Sequence, residues 1–379
     1  MSQPTSQHET VLDVPLVARE PILAVGADLK SAPALMVDSK IYVAPPIGRL
    51  DEPEAYRRFL AAIEGLQQRQ GRRANVIAHD LHPDYAATRW AMSQPERKIG
   101  VQHHHAHATA CMAEHGLVGK TVGIVCDGTG YGADGTIWGG EVLLCDFDAG
   151  EFRRAGYLRP FPLLGGDAAA VETFRPALGV LVETFGKNWP AEAQHVLSRI
   201  DPQALKLAVA RLGAPAARLP RTSSLGRLFD ATAFLLDLCP RNDTEAQAPV
   251  AVQQAAEQAR AVEPLDYKLE EAPDGAVIMD FRPMIRAMLR EAGDAQQTAR
   301  AFHDGLVNML AAAAGRVCDA TGEHRVVLTG GCFLNTLLQN WLEERLRRDG
   351  REVYLHRRLS SGDESTAVGQ ALVAAARSA

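Results

Sequence analysis

IGVQHHHAHATACMAEHGLVGKTVGIVCDGTGYGADGTIWGGE, residues Ile99 to Glu141, is the stretch from which the rest of the chain can be read. It holds an apolar run, a His-rich helix start, a second apolar run and a Gly-rich turn. With a helix beginning near Gln102, His103 and His107 lie one turn apart on one face. That spacing lets two imidazoles close on one metal ion. The run Val122 to Cys126 then delivers Asp127, a harder ligand, into Gly128-Thr-Gly-Tyr-Gly132. The alternative is a polar His cluster on a solvated face. Four of the chain's twelve histidines fall within five positions beside a buried-type strand, which favours ligands over a solvated cluster.

Working outward, the same order of elements occurs twice. Ahead of the stretch stand a strand from Ile22 to Lys30, a hairpin of Ala34–Val37 and Ile41–Ala44, and a helix opened by Asp51, Glu52 and Pro53. A strand over Asn75–His79, a helix over Asp84–Met92 and the strand Ile99–Gln102 complete the first half. The second half starts with the strand Thr121–Asp127 and a hairpin partner over Gly135–Cys145. Loop and mainly helical sequence follow to Leu238, then pieces of mixed type over residues 241–300. A helix over Ala299–Ala320 with Gly322 as its cap precedes a βαβ unit of Arg325–Leu328, Phe333–Arg348 and Glu352–Leu355. A helix over Glu364–Arg377 closes the chain, placed to pack back on the first half. The expected division is a disordered tail (1–20), a first α/β lobe (21–118) and a second (119–379), the mixed pieces forming an insertion. The shared order suggests a duplicated fold with a cleft between lobes.

The 379 residues are 46% hydrophobic and 23% charged, ordinary for a globular chain with sizeable cores. A net charge of −6 argues against a nucleic-acid partner. The six cysteines are scattered with no Cys-x-x-Cys pair, which fits a reducing compartment. No run approaches the roughly 20 apolar residues of a membrane helix, and the first twenty residues lack the apolar segment of a signal peptide. A cytoplasmic protein without a membrane partner is expected.

The turn after Asp127 has two readings that can both hold. Gly128, Gly130 and Gly132 can bring backbone N–H groups close to a phosphate, with a carboxylate to hold its metal ion. They can equally serve a tight hairpin. Thr329-Gly330-Gly331, between a strand and a helix, could seat a nucleotide at a helix start. Arg227 and Asp230 read as an i,i+3 ion pair on a helix capped from Ser223-Ser224, and Gly165-Gly-Asp167 with Arg175 as a capped turn.

Several segments together resemble the HypF family, the carbamoyltransferases that mature [NiFe] hydrogenases. They are His103-His-His-Ala-His-Ala108, Asp127 through Glu141, Leu158-Arg-Pro-Phe-Pro-Leu-Leu-Gly-Gly-Asp167, Thr222-Ser-Ser-Leu-Gly226-Arg-Leu-Phe-Asp230-Ala231, Ala301-Phe-His303 and Gly330-Gly-Cys-Phe-Leu-Asn335. The resemblance covers that family's last module, which is similar to TsaD proteins and implies a two-lobed α/β actin/Hsp70-like ATPase (ASKHA) fold. It implies one divalent metal (Fe, Zn, Mn or Mg) on His103, His107, Asp127 and Asp363. It also implies a nucleotide, ATP, ADP or carbamoyl-adenylate, against Gly128, Gly130, Gly132, Asp167, Gly226, Asp230, Gly330 and Gly331. The implied reaction moves a carbamoyl group derived from carbamoyl phosphate to the C-terminal cysteine of HypE.

The chain departs from the family pattern in three ways. The acylphosphatase, zinc-finger and YrdC-like adenylating modules have no counterpart in these residues. The family's Asp-Gly-Gly reads Asp363-Glu-Ser365, where the added carboxylate would repel a triphosphate. A family glycine is replaced at Ala246 in Thr244-Glu-Ala-Gln-Ala248. Three functions follow: carbamoyl transfer with a YrdC-like partner adenylating in trans, metal-dependent hydrolysis of carbamoyl phosphate or a nucleotide, or non-catalytic docking of HypE.

Overall fold

The computed structural model describes residues 9–213, 219–290 and 294–378. Two sheets organise it. The first holds β1 (Thr10–Asp13), β2 (Ile22–Ala24), β3 (Ala34–Val37), β4 (Lys40–Val43), β5 (Val76–Asp80) and β6 (Arg97–Val101), in the order β1-β4-β3-β2-β5-β6. The second begins with β7 (Lys120–Tyr131), β8 (Ile137–Asp146) and β9 (Glu151–Leu158), followed by the short β10 (Phe161–Pro162) and β11 (Arg221–Thr222). It continues with β12 (Lys268–Glu271), β13 (Val277–Asp280), β14 (Arg325–Thr329) and β15 (Glu352–Leu355). Its main path is β12-β13-β9-β8-β7-β14-β15.

The duplication is visible in the pairing. In the first sheet β4, β3 and β2 are antiparallel neighbours, and β2, β5 and β6 run parallel. In the second, β9, β8 and β7 are antiparallel and β7, β14 and β15 parallel. The hairpins need only turns, whereas each parallel step needs a helical crossover. This repeated five-strand order is that of the two-lobed actin/Hsp70-like ATPase fold.

Strand periodicity decides what lies on each face. Leu23, Leu35 and Ile77 point outward from the first sheet onto Phe59, Ile63 and Leu66 of the helix Pro53–Gln70. Ile22, Ala24, Met36 and Ala78 point inward, into a core shared with Val125, Leu143 and Val327 of the second sheet. Two helices fill the space between, His103–Glu114 and Thr366–Arg377, contributing Ala108, Cys111, Met112, Val368 and Leu372. Their contact is close because Gly369 has no side chain: a Cβ there would lie 1.8 Å from the Ala106 carbonyl oxygen. Val122, Ile124, Val326 and Leu328 face the other way, against Phe229, Phe302, Leu306 and Leu342.

Several expectations need correction. The stretch read as a tail contains β1, which pairs with β4 from Thr10↔Val43 to Asp13↔Lys40. Residues 1–8 lie outside the described residues. The first strand stops at Ala24, because Gly26 turns at φ 73° and Gln370 binds its backbone instead of a neighbouring strand. The helix expected from Phe333 starts at Thr336 after a 3-10 turn over Gly331–Leu334, with Asn335 as its cap. The Asp167 turn makes no side-chain cap, and Arg175 pairs with Glu172 instead. The Arg227–Asp230 ion pair is present at 2.8 Å, on a helix (Leu225–Leu235) capped by Ser224. All six cysteines are free.

Candidate metal centre

Each half contributes side chains to one point. Gln102 caps the His helix, its side chain accepting from the His105 N–H at 2.9 Å, and so fixes where the first turn begins. His103 and His107 then face the same way, rings 4.9 Å apart. From the second sheet comes Asp127, at an irregularity in β7. Between the pairs Cys126↔Gly140 and Gly130↔Trp138, four residue steps on β7 face two on β8. The surplus lifts Asp127 out of the ladder, as bulges do beside functional sites. Asp363 comes from the 3-10 turn Asp363–Ser365 after β15.

The four donors form a tight set, with one ligand atom from each lying within 4.8 Å of the others. His103 Nε2 is 3.3 Å from Asp127 Oδ2 and 3.5 Å from Asp363 Oδ1. His107 Nε2 is 3.3 and 3.4 Å from the same two oxygens. Good hydrogen bonds to carboxylates are shorter, and His107 has no hydrogen-bond partner on either ring nitrogen. Donors about 2.0–2.2 Å from one ion stand about 2.8–3.6 Å apart in tetrahedral or octahedral sets. The spacing, the orphaned imidazole and the N₂O₂ donor chemistry therefore fit a divalent cation.

The electrostatics agree. Burial works to lower the pKa of both histidines, but Asp127 and Asp363 outweigh it, and His103 is held well above the ordinary value. Burial would raise Asp127 and Asp363, yet the two imidazoles hold both carboxyls low. Without a metal the two carboxylates are balanced by protons on the two rings, and a divalent ion on the four donors would take the place of those protons.

Asp80, at the end of β5, is a member that sequence reasoning missed. It is fully buried, and its Oδ2 lies 2.8 Å from His103 Nδ1 while its Oδ1 accepts the His82 N–H. With Nδ1–H donated to Asp80, His103 turns the lone pair of Nε2 toward the centre, a carboxylate–histidine arrangement common behind metal ligands. A carboxylate at the C-terminal end of a parallel strand was the available signal. On the other side, Asp127 Oδ1 accepts the N–H groups of Gly128 (2.7 Å) and Gly331 (3.3 Å), leaving Oδ2 for the histidines.

The remaining candidates separate by what surrounds them. A Cβ on Gly128 would meet nothing within 4 Å, so its backbone is open to a ligand. Gly130 is explained by packing: a Cβ there would lie 2.4 Å from the His104 ring and 2.8 Å from that of His103. A Cβ on Gly132 would lie 2.2 Å from Trp138 Nε1. A Cβ on Gly226 would lie 2.8 Å from the Gly128 Cα, so only glycine lets the Leu225–Leu235 helix pack there. Gly330, at φ 103°, passes so close to the Cys126 carbonyl that a Cβ would lie 2.2 Å from its oxygen. Gly331 lies beside Asp127. Asp230 is buried against Arg227 and Asn242, burial raising its pKa despite both. Asp167 is exposed and stands outside the donor set. Glu364, the added carboxylate, lies near Lys30, whose ammonium reaches from the first half to Glu245 at 2.9 Å.

Comparison with known proteins gives the chain a family. Residues 17–114 match the family model described as the HypF Kae1-like domain, and residues 123–370 that described as the carbamoyltransferase Kae1-like domain, second subdomain. The chain belongs to the HypF family. It is 35% identical over 376 residues to the carbamoyltransferase HypF homolog of Cupriavidus necator, covering 94% of this chain and 91% of that one. It is 36% identical to carbamoyltransferase HypF of Rhodobacter capsulatus, again over 94% of this chain but 47% of the relative. A crystal structure of full-length HypF in a phosphate- and nucleotide-bound form superposes with a TM-score of 0.89 at 30% identity, over 98% of this chain and 57% of that one. HypF of T. kodakarensis gives 0.84 at 27%, over 97% and 48%. The chain thus spans nearly all of one relative and about half of the longer ones. Among the described residues no helix is long and apolar enough to cross a membrane.

Proposed function

We propose that this chain is a carbamoyl-transfer module. It moves a carbamoyl group derived from carbamoyl phosphate, presented as carbamoyl-adenylate, to the C-terminal cysteine of a HypE-like protein in the cytoplasm. A YrdC-like partner supplies the adenylate in trans. The observation that carries this reading is the convergence of His103, His107, Asp127 and Asp363 from both halves in a chain of the HypF family.

In the proposed step the acceptor thiolate attacks the carbamoyl carbon, the S–C bond forms, the C–O bond to AMP breaks, and AMP leaves. A divalent ion on the four donors (Fe, Zn, Mn or Mg) supplies Lewis acidity for the carbonyl and charge neutralisation for the phosphate. The protein's own groups do the positioning. Asp80 orients His103, and the Gly128 and Gly331 N–H groups turn Asp127. A Cβ on Gly128 would meet nothing within 4 Å, and in this reading its backbone, with the turn at Gly330-Gly331, would receive the adenylate phosphate.

Hydrolysis of carbamoyl phosphate is the second reading. Glu364 and Ala246 stand where the resemblance implies glycines, which puts an added charge and a methyl group in the expected nucleotide cradle and favours a reaction that needs no nucleotide. Phosphate release from carbamoyl phosphate alone, and pyrophosphate release from ATP in its presence, separate the two. We expect slow metal-dependent phosphate release and no carbamoyl phosphate-dependent exchange of pyrophosphate into ATP. Robust exchange by the purified chain would overturn this division of labour.

A further inference from the structure

The helix that carries His103 and His107 ends at Glu114, and this residue occupies an unfavourable place. Its side chain is only 1% exposed, and a carboxylate at a helix C-terminus opposes the helix dipole. Burial works to raise its pKa, yet it is held below the ordinary value by the donors around it. All four of them belong to the segment leading from β15 to Asp363. Glu114 Oε2 lies 2.7 Å from His356 Nδ1 and accepts the Arg357 N–H at 3.3 Å, while Oε1 accepts the N–H groups of Arg358 (2.7 Å) and Leu359 (2.9 Å).

The same segment is tied to the mount of Asp127. His356 Nε2 lies 2.9 Å from Thr329 Oγ1 at the end of β14, and Ser361 O accepts the N–H of Gly330 at 2.9 Å. Gly331, the next residue, donates to Asp127 Oδ1. One helix therefore presents two histidines at its start and, through Glu114 at its end, clamps the loop that delivers Asp363.

We propose that Glu114 is a positioning residue for Asp363: it sets the loop 356–362 so that Asp363 Oδ1 reaches the His103–His107 pair. The proposal rests on the metal reading of that pair. Without the Glu114 carboxylate, three backbone N–H groups and His356 lose their acceptor, and the loop is no longer referenced to the His helix.

The test uses the full chain loaded with Co(II), whose visible absorption reports ligand number and type, in the parent, Glu114→Ala, Asp363→Ala and the double variant. The expected result is a loss of Co(II) affinity of about 10–100-fold in Glu114→Ala, as for other residues that orient ligands. Its spectrum should shift toward that of Asp363→Ala, and the double variant should bind no more weakly than Asp363→Ala alone. Amide exchange over residues 357–363 should quicken even without metal. If Glu114→Ala does not fold, Glu114→Gln, of the same size, is read in the same way. Parental Co(II) affinity and spectrum in a folded Glu114 variant would overturn the proposal, as would losses that add to those of Asp363→Ala. A parent chain that binds no Co(II) would instead overturn the metal reading, and the proposal with it.

Discussion

Asp80 Oδ2 lies 2.8 Å from His103 Nδ1, both side chains fully buried, so a residue at the end of β5 fixes the tautomer of a candidate ligand three elements further along the chain. Asp80→Ala should weaken divalent metal binding about 10–100-fold. Asp80→Asn keeps an acceptor oxygen for the Nδ1–H and should fall between alanine and the parent. Calorimetric titration with Zn(II) or Mn(II) checks the order. Equal affinities in all three would leave Asp80 as core packing only.

A methyl group at Gly130 should displace the ligand helix without touching any donor atom. The Cβ would sit 2.4 Å from the His104 ring and 2.8 Å from that of His103, far inside van der Waals contact. Gly130→Ala should therefore cost both stability, about 1–3 kcal/mol by overpacking, and metal affinity. Thermal unfolding and metal titration of one preparation check this, and an unchanged affinity would show that the rings yield without cost.

Ala246 adopts φ 59°, ψ 21° at the position where the resemblance implies a glycine. The left-handed conformation costs an L-residue roughly 1–2 kcal/mol, and glycine's extra freedom when unfolded gives back about 0.4–1 kcal/mol of that. Ala246→Gly should stabilise the chain by about 0.5–1 kcal/mol in urea unfolding. A destabilised variant would mean that the Ala246 methyl group makes a packing contribution larger than the backbone strain.

His303 should give the folded state an acid-sensitive slope. Its Nδ1–H donates to Ala299 O at 2.8 Å and its Nε2 accepts from Asn335 Nδ2 at 3.1 Å, a pattern only the neutral ring satisfies. Burial pushes its pKa down to about 4. The unfolded chain takes up the proton near pH 6.5 and the folded one only near 4. The stability contributed by the neutral ring is thus complete above pH 6.5 and is lost as pH falls toward 4, roughly 3 kcal/mol in all. His303→Gln should flatten this part of the stability–pH curve. A slope unchanged by the substitution would place the acid sensitivity elsewhere.

What could be read from sequence was what local pattern controls. The apolar runs ending at Ala24, Ala78, Val125 and Leu328 mark the central strands of both halves, and their order was enough for the duplicated fold. His103, His107 and Asp127 announce themselves by spacing. Asp363 does not: it was reached through resemblance, because its loop acquires meaning only when β15 and the Glu114 clamp place it. Asp80 gave only the general signal of a carboxylate at a strand end, since it is the parallel pairing of β5 with β6 that brings it beside His103. Gly130 and Gly132 drew attention as a phosphate cradle, yet the rings that need their space, His104 and Trp138, are tertiary neighbours. β1 was missed because four residues at a sheet edge carry little pattern until β4 is there to receive them.

The most direct test of carbamoyl transfer combines the metal-loaded chain, carbamoyl phosphate, ATP, a YrdC-like adenylating protein and a HypE-like acceptor. Mass spectrometry then reads the acceptor's C-terminal cysteine. One added carbamoyl group on that cysteine is expected when every component is present, and none when the chain is omitted or carries His103→Ala with His107→Ala. An unmodified cysteine with all components present and metal bound, or equal modification without the chain, would contradict carbamoyl transfer by this chain.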